Sequence, residues 1–200
     1  MSYTFTPKEV QPLKYKSVPG ISERQLAEHH DVLYAGYVKK YNEIMEKLDS
    51  VDLSATNATY SELREFMVEK AFALNGAKLH ELYFANLTDT PSEPSGKAKE
   101  ILAKQWGSFE AWQEQFAALG VASRGWVVLA YDYSLERFDN YILDAHNQGS
   151  IVDTEIALVM DVYEHAYFLD YGTARKDYIT KFMAAIDWEE VNKRVAHHEM

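Results

Sequence analysis

A carboxylate and an imidazole four residues apart, Asp161 and His165 in Asp161-Val-Tyr-Glu-His-Ala-Tyr167, can face one side of a helical turn or meet across a strand-to-helix bend. In either arrangement a single cation takes both. Alone, the spacing also describes a surface pair or a helix cap. It gains weight from His29 and His80 far upstream, because a chain without cysteine has only His, Asp and Glu to offer a metal. Three neutral imidazoles and one carboxylate, with a fifth position left for water, suit a redox-capable first-row metal.

The elements that must position these four residues are legible as periodic segments. Pro7, Pro12, Pro19 and Gly20 mark an extended arm over residues 1–21. Ser22 is a good helix cap, and Gln25 at the third helical position completes a capping box. From there Leu26, His30, Leu33, Tyr37, Tyr41, Ile44 and Leu48 form a stripe at steps of three and four, with His29 at its edge. A polar turn leads to a second helix over about residues 59–86, where Phe66, Ala73, Ala77, His80 and Phe84 share a face. Two long stripes joined by a short loop predict an antiparallel helical hairpin, with His80 in its seam.

The segment Asn86–Gly96 has linker composition, which places a boundary between an arm-plus-hairpin unit, residues 1–88, and a second unit, residues 96–200. Beyond it, residues 97–105 and 108–119 read as helices, the second capped by Ser108. Residues 126–131 and 140–144 read as a strand hairpin, residues 156–160 as a buried third strand ending at Asp161, and residues 175–185 and 188–196 as closing helices. The predicted class is α+β: a long antiparallel helical hairpin followed by an α/β domain with a small three-stranded antiparallel sheet.

Composition narrows the function. A hydrophobic fraction of 47% supplies ample core for a globular protein, while no apolar run is long enough to span a membrane and no basic-then-apolar start resembles a secretory signal. The expectation is a cytoplasmic protein. A net charge of -11 argues against nucleic acid or an anionic membrane as partner, and requires any anionic substrate to find a local positive patch.

These residues also carry a resemblance. The run Asp161-Val-Tyr-Glu-His-Ala-Tyr-Phe-Leu-Asp-Tyr171, with Arg175-Lys-Asp-Tyr-Ile179 and Trp188-Glu-Glu-Val-Asn-Lys-Arg194, closely resembles the C-terminal signature of the iron/manganese superoxide dismutases. Upstream, His29-His30 with Tyr37 resembles the first ligand and gateway tyrosine of that family. Leu79-His80-Glu-Leu-Tyr-Phe84 resembles the second ligand segment, and Gly107–Glu110 with Gly125-Trp126 the stretch that gives the metal pocket a tryptophan. The stripe does not choose between His29 and His30; the family register selects His29. The resemblance implies superoxide disproportionation at one iron or manganese ion per subunit, cycling between M(III) and M(II) and held by His29, His80, Asp161 and His165. It further implies Tyr37 and Trp126 in the pocket, Glu164 reaching a partner's His165 across a homodimer, and a dimer or tetramer as the assembly.

The departures from the family pattern matter as much. Leu33 and Phe168 stand where the family has a histidine and a tyrosine that bond across the dimer, Tyr163 and Val128 stand where it has tryptophans, and Gly76 stands where many members have a pocket glutamine. The residue that tunes the bound solvent must then come from the sheet side. His146, fifteen residues before Asp161 as in some relatives, is the preferred candidate and Gln148 the alternative. A histidine there tilts the expectation toward iron. Arg175 is a candidate source of local positive charge.

Overall fold

The structure is a computed structural model that describes residues 4–149 and 152–198. Ser22 opens α1 (Glu23–Ala27), its hydroxyl accepting from the Gln25 N–H at 3.1 Å. The chain continues without a break through a π-helical segment, Glu28–Tyr34, into α2 (Ala35–Leu48). The expected single α-helical stripe is therefore corrected. A π turn closes its hydrogen bonds one residue later than an α turn and rotates everything downstream. From its last residue onward the buried positions are Tyr34, Val38, Ile44 and Met45, while Leu33 within it and Tyr37 and Tyr41 beyond it are only half-buried. That rotation lets adjacent His29 and His30 both turn inward.

After a short turn, Ser61 caps α3 (Glu62–Ala85), which packs antiparallel on α2 and buries Ala73, Ala77, His80 and Phe84 of the expected face, while Phe66 is only half-buried and Gly76 is buried as well. Asn86 is wholly buried, donating to the carbonyls of Tyr83 and Val159 and accepting from the Val159 N–H, so its polar side chain is a strut between α3 and the sheet. A buried amide with those partners satisfied binds the two halves of the chain into one core.

Helices α4 (Gly96–Trp106) and α5 (Phe109–Ala122) follow, the second capped by Ser108 as expected. Three strands form an antiparallel sheet in the order β2-β1-β3: β1 (Trp126–Asp132), β2 (Arg137–Leu143) and β3 (Thr154–Asp161). Strand β2 starts three residues earlier than expected. Charged Arg137 and Asp139 flank Phe138, which turns into the core. The register sets Trp126 opposite Asp161, at the end of the sheet that α3 covers. A 3₁₀ turn, Glu164–Ala166, then leads to α6 (Phe168–Tyr171), α7 (Arg175–Ala184) and α8 (Trp188–Val195). The architecture is the expected helical hairpin followed by helices around a three-stranded antiparallel sheet. Among the described residues no helix is long and apolar enough to cross a membrane.

Candidate metal centre

Three imidazoles from three parts of the chain converge on one carboxylate oxygen of Asp161. His29 Nε2 and His165 Nε2 each lie 3.1 Å from Asp161 Oδ2, and His80 Nε2 lies 3.7 Å from it. Two donors each about 2.1 Å from a shared ion and about 90° to 120° apart are about 3.0 to 3.6 Å from one another. The observed spacings match that closely. The other oxygen, Asp161 Oδ1, is occupied by the Tyr163 N–H at 2.9 Å, and the Asp161 carbonyl by the Tyr178 hydroxyl at 2.7 Å. The carboxylate is thereby aimed, with one oxygen left for the histidines.

The protonation states suit a cation. Burial pushes the imidazoles of His29 and His80 below their ordinary value, so both are neutral and present lone pairs. Burial alone would raise Asp161, but the imidazoles of His165 and His29 beside it hold its carboxyl well below the usual carboxylate range. The site sets an ionised carboxylate beside the neutral imidazoles of His29 and His80. His80 Nδ1–H donates to the Gly76 carbonyl at 2.6 Å, which fixes the tautomer and leaves the Nε2 lone pair free for a metal. That Nε2 is buried with no hydrogen-bond partner among the described residues. An orphaned buried nitrogen is costly unless something electropositive meets it, and a metal ion does so. The residues present therefore fit iron or manganese.

The structure also separates His29 from its neighbour. Both ring nitrogens of His30 are engaged, Nδ1 with Asp31 Oδ1 at 2.7 Å and Nε2 with the Gln11 carbonyl at 2.8 Å. His29 is the one that enters the cluster.

Around the four donors lies an aromatic wall. The ring of Trp126, wholly buried, is 4.9 Å from His80, and its Nε1–H donates to His146 Nδ1 at 3.0 Å. Because Nδ1 accepts, the proton of neutral His146 sits on Nε2. Burial lowers His146 to about 4, so it is neutral near pH 7. Tyr37 lies 4.7 Å from His146 and 5.3 Å from His80 between ring centres, and burial, with the Asp161 charge, pushes its phenol up to about 12. Gly76 makes room for this pair. A Cβ built there would stand 2.9 Å from Tyr37 Cδ1 and 3.3 Å from His146 Cδ2.

Matches to known proteins agree with this geometry. Residues 9–88 match the family description "iron/manganese superoxide dismutases, alpha-hairpin domain", and residues 94–194 match "iron/manganese superoxide dismutases, C-terminal domain". The chain belongs to the iron/manganese superoxide dismutase family. It is 40% identical over 193 residues to the superoxide dismutase (Fe) of Aquifex aeolicus, covering 93% of this chain and 91% of that protein. It is 34% identical over 193 residues to superoxide dismutase (Mn) 2 of Haloferax volcanii, with 95% and 94% covered. A third relative, the superoxide dismutase (Fe) of Methanothermobacter thermautotrophicus, is 35% identical over 189 residues, with 92% and 91% covered.

Among the remaining family-derived candidates, Gln148 stands apart. It is exposed on a tight turn closed by its own N–H to the Ala145 carbonyl at 3.1 Å, whereas His146 on the same turn is buried beside Trp126. Glu164 is exposed, next to the half-buried His165. Arg175 is half-buried, its guanidinium donating to the Tyr167 hydroxyl and the Ser123 carbonyl.

Three supporting residues have roles that the amino-acid pattern does not announce. Gln25 does not complete a capping box, because the Ser22 N–H goes instead to Asp170. Its buried amide donates to the His165 carbonyl at 2.6 Å and accepts from the Leu169 N–H at 3.1 Å, tying α1 to the ligand turn. Asn75 donates to the His146 carbonyl at 3.0 Å, and Tyr178 holds Asp161 from α7. Gln25 and Asn75 act over more than seventy residues, and Tyr178 acts across an element boundary, where no local spacing signals them.

Proposed function

We propose that this chain is a superoxide dismutase that holds one iron or manganese ion through His29, His80, Asp161 and His165. The convergence of three Nε2 atoms on Asp161 Oδ2, with His80 Nε2 lacking any other partner among the described residues, carries the reading. Such an ion supplies reversible one-electron chemistry, so that one superoxide is oxidised to O2 and a second is reduced and takes up two protons to leave as hydrogen peroxide.

The chain's own residues supply the charge balance, the protons and the exclusion of water. Asp161 brings one negative charge into a pocket where His29, His80 and His146 are neutral, which offsets part of a cation's charge where the dielectric is low. His146 holds its proton on Nε2 because Trp126 occupies Nδ1, and Tyr37 keeps its proton because burial disfavours phenolate. Both are placed as hydrogen-bond donors beside His80. Phe84, Trp126 and Tyr163 pack against the ligand rings and shut out bulk solvent, leaving the half-buried Tyr37 and His165 on the more open side. Gln148, being exposed, is the weaker candidate for this role.

Two features support a homodimer. The exposed Glu164 carboxylate makes no ion pair among the described residues, and it lies close in sequence to Phe168 and Leu169, which are 48% and 49% exposed. Large apolar side chains left open beside a charge that the family places across an interface favour a second copy as their cover. Relatives of both metal types match, so the ion is decided by measurement: elemental analysis, then superoxide consumption by iron-loaded and manganese-loaded protein. At least one form should be active. Replacing His80 with Ala should abolish metal retention and activity together, and full occupancy in that variant would sink the ligand assignment.

A further inference from the structure

The opposite end of the sheet carries a second convergence of donors that dismutation does not use. His197 Nε2 lies 3.1 Å and His198 Nε2 3.5 Å from the same oxygen, Glu155 Oε2. These are the spacings that donors to one ion adopt. We propose that Glu155, His197 and His198 form a second metal site, for a borderline divalent first-row cation such as Zn2+, which fastens the segment after α8 to strand β3.

The site is built before any cation arrives. The His198 side chain is only 4% exposed, and its ring stacks on Tyr131 at 3.9 Å and meets the edge of Phe138 at 5.3 Å, so its direction is set by packing. Its Nε2 is buried, aimed at the carboxylate and without a hydrogen-bond partner among the described residues. The Tyr133 hydroxyl donates to the same oxygen, Glu155 Oε2, and helps to orient the carboxylate, as partners of metal ligands do. His197, 58% exposed, brings the third donor from the solvent side and leaves room for water on the ion.

The donor set decides the class of cation. Two imidazoles and one carboxylate without thiolate suit Zn2+, Ni2+ or Cu2+, whereas Ca2+ and Mg2+ require mostly oxygen. The Lys97 ammonium, which donates to the Ala196 carbonyl at 2.8 Å, opposes a second cation and limits affinity. The two centres are independent. Glu155 lies at the start of β3 and Asp161 at its end, six residues or about 20 Å apart along the strand.

The test titrates Zn2+ alone, by calorimetry near pH 7.5, into protein already loaded with its resident ion, while zinc, iron and manganese are counted in the same samples. One Zn2+ per chain should bind with the resident ion retained, and His197→Ala and Glu155→Gln should each weaken binding by tenfold or more. Both positions are at least partly open, so these variants should fold. At Zn2+ about one hundred times the wild-type Kd, wild-type Tm should rise by about 5 to 10 °C, and at the same zinc concentration the variants should show about half that shift or less. No additional zinc, unchanged binding in both variants, or zinc taken up only as iron or manganese is lost would each overturn the site. None of these readouts depends on superoxide consumption.

Discussion

Trp126 does for His146 what the Gly76 carbonyl does for His80: each engages one ring nitrogen and thereby decides what the other can do. At His80 the result is a free lone pair; at His146 it is a proton held for donation. Trp126→Phe keeps the ring against His80 and removes only the N–H, so the metal should be retained while activity falls about 10- to 100-fold, the usual cost of losing such a partner. Steady-state superoxide consumption with parallel metal analysis checks this, and unchanged activity would remove His146 from the proton-donating role. The types and spacing of the four candidate ligands are legible in the sequence because an Asp-x-x-x-His run and two seam histidines are local signals. Periodicity does not choose between His29 and His30, since both sit near one stripe; only the family register does. In the fold the choice depends on Asp31 and Gln11 occupying both nitrogens of His30, the second a contact from the extended arm that no period encodes.

Caps, periodicity and turn chemistry are short-range, which is why the helical hairpin, the Ser22 and Ser108 caps and the three strands can be placed from composition and spacing. The π-helical segment cannot, because a one-residue change in hydrogen-bond register leaves apolar spacing almost intact while rotating the face that is buried. The same gap hides Gln25 and Asn86, both polar and both buried for partners over seventy residues away. Gln25 is the more informative of the two, since it links α1 directly to the turn that carries His165 and to the start of α6. Gln25→Ala should leave the His165 carbonyl and the Leu169 N–H without partners, costing about 1–3 kcal/mol each if both stay dry. The expected outcome is a lowered denaturation midpoint with metal bound less tightly at His165. Gln25→Glu is the useful contrast, because it restores an acceptor for Leu169 and not the donor for His165. Equal metal affinity in all three proteins would show that the turn is held by other contacts.

For the molecule as a whole, assembly and acid response follow from where charge is exposed and where it is buried. If Glu164 reaches a second copy, Glu164→Ala should raise the dimer dissociation constant by at least tenfold in sedimentation at low concentration, and an unchanged profile would return Glu164 to the solvent. Acid acts on the interior. His29, His80 and His146 are all held below the ordinary imidazole value by burial, His146 at about 4, so the unfolded chain binds protons at these positions that the folded chain refuses. Folding stability rises with pH wherever the unfolded state holds more protons, so these groups stabilise fully above about pH 6.5 and progressively less as pH falls toward 4. Asp161, whose folded value is depressed, adds stability above about pH 4 that is lost only under stronger acid. An opposing effect exists: a chain of charge -11 and isoelectric point near 5.1 sheds self-repulsion on acidification, which by itself would raise Tm between pH 6.5 and 5. Surface repulsion is screened by salt and buried titration is not, so the two separate in 0.5 M NaCl, where Tm of the metal-free protein should fall steadily from pH 6.5 to 4.5. Loading the ion should steepen that fall, because protons then compete with it for the same nitrogens. A flat profile at high salt would mean that these histidines are open to protons in the folded state, and it would remove the sealed pocket on which the proposed chemistry rests.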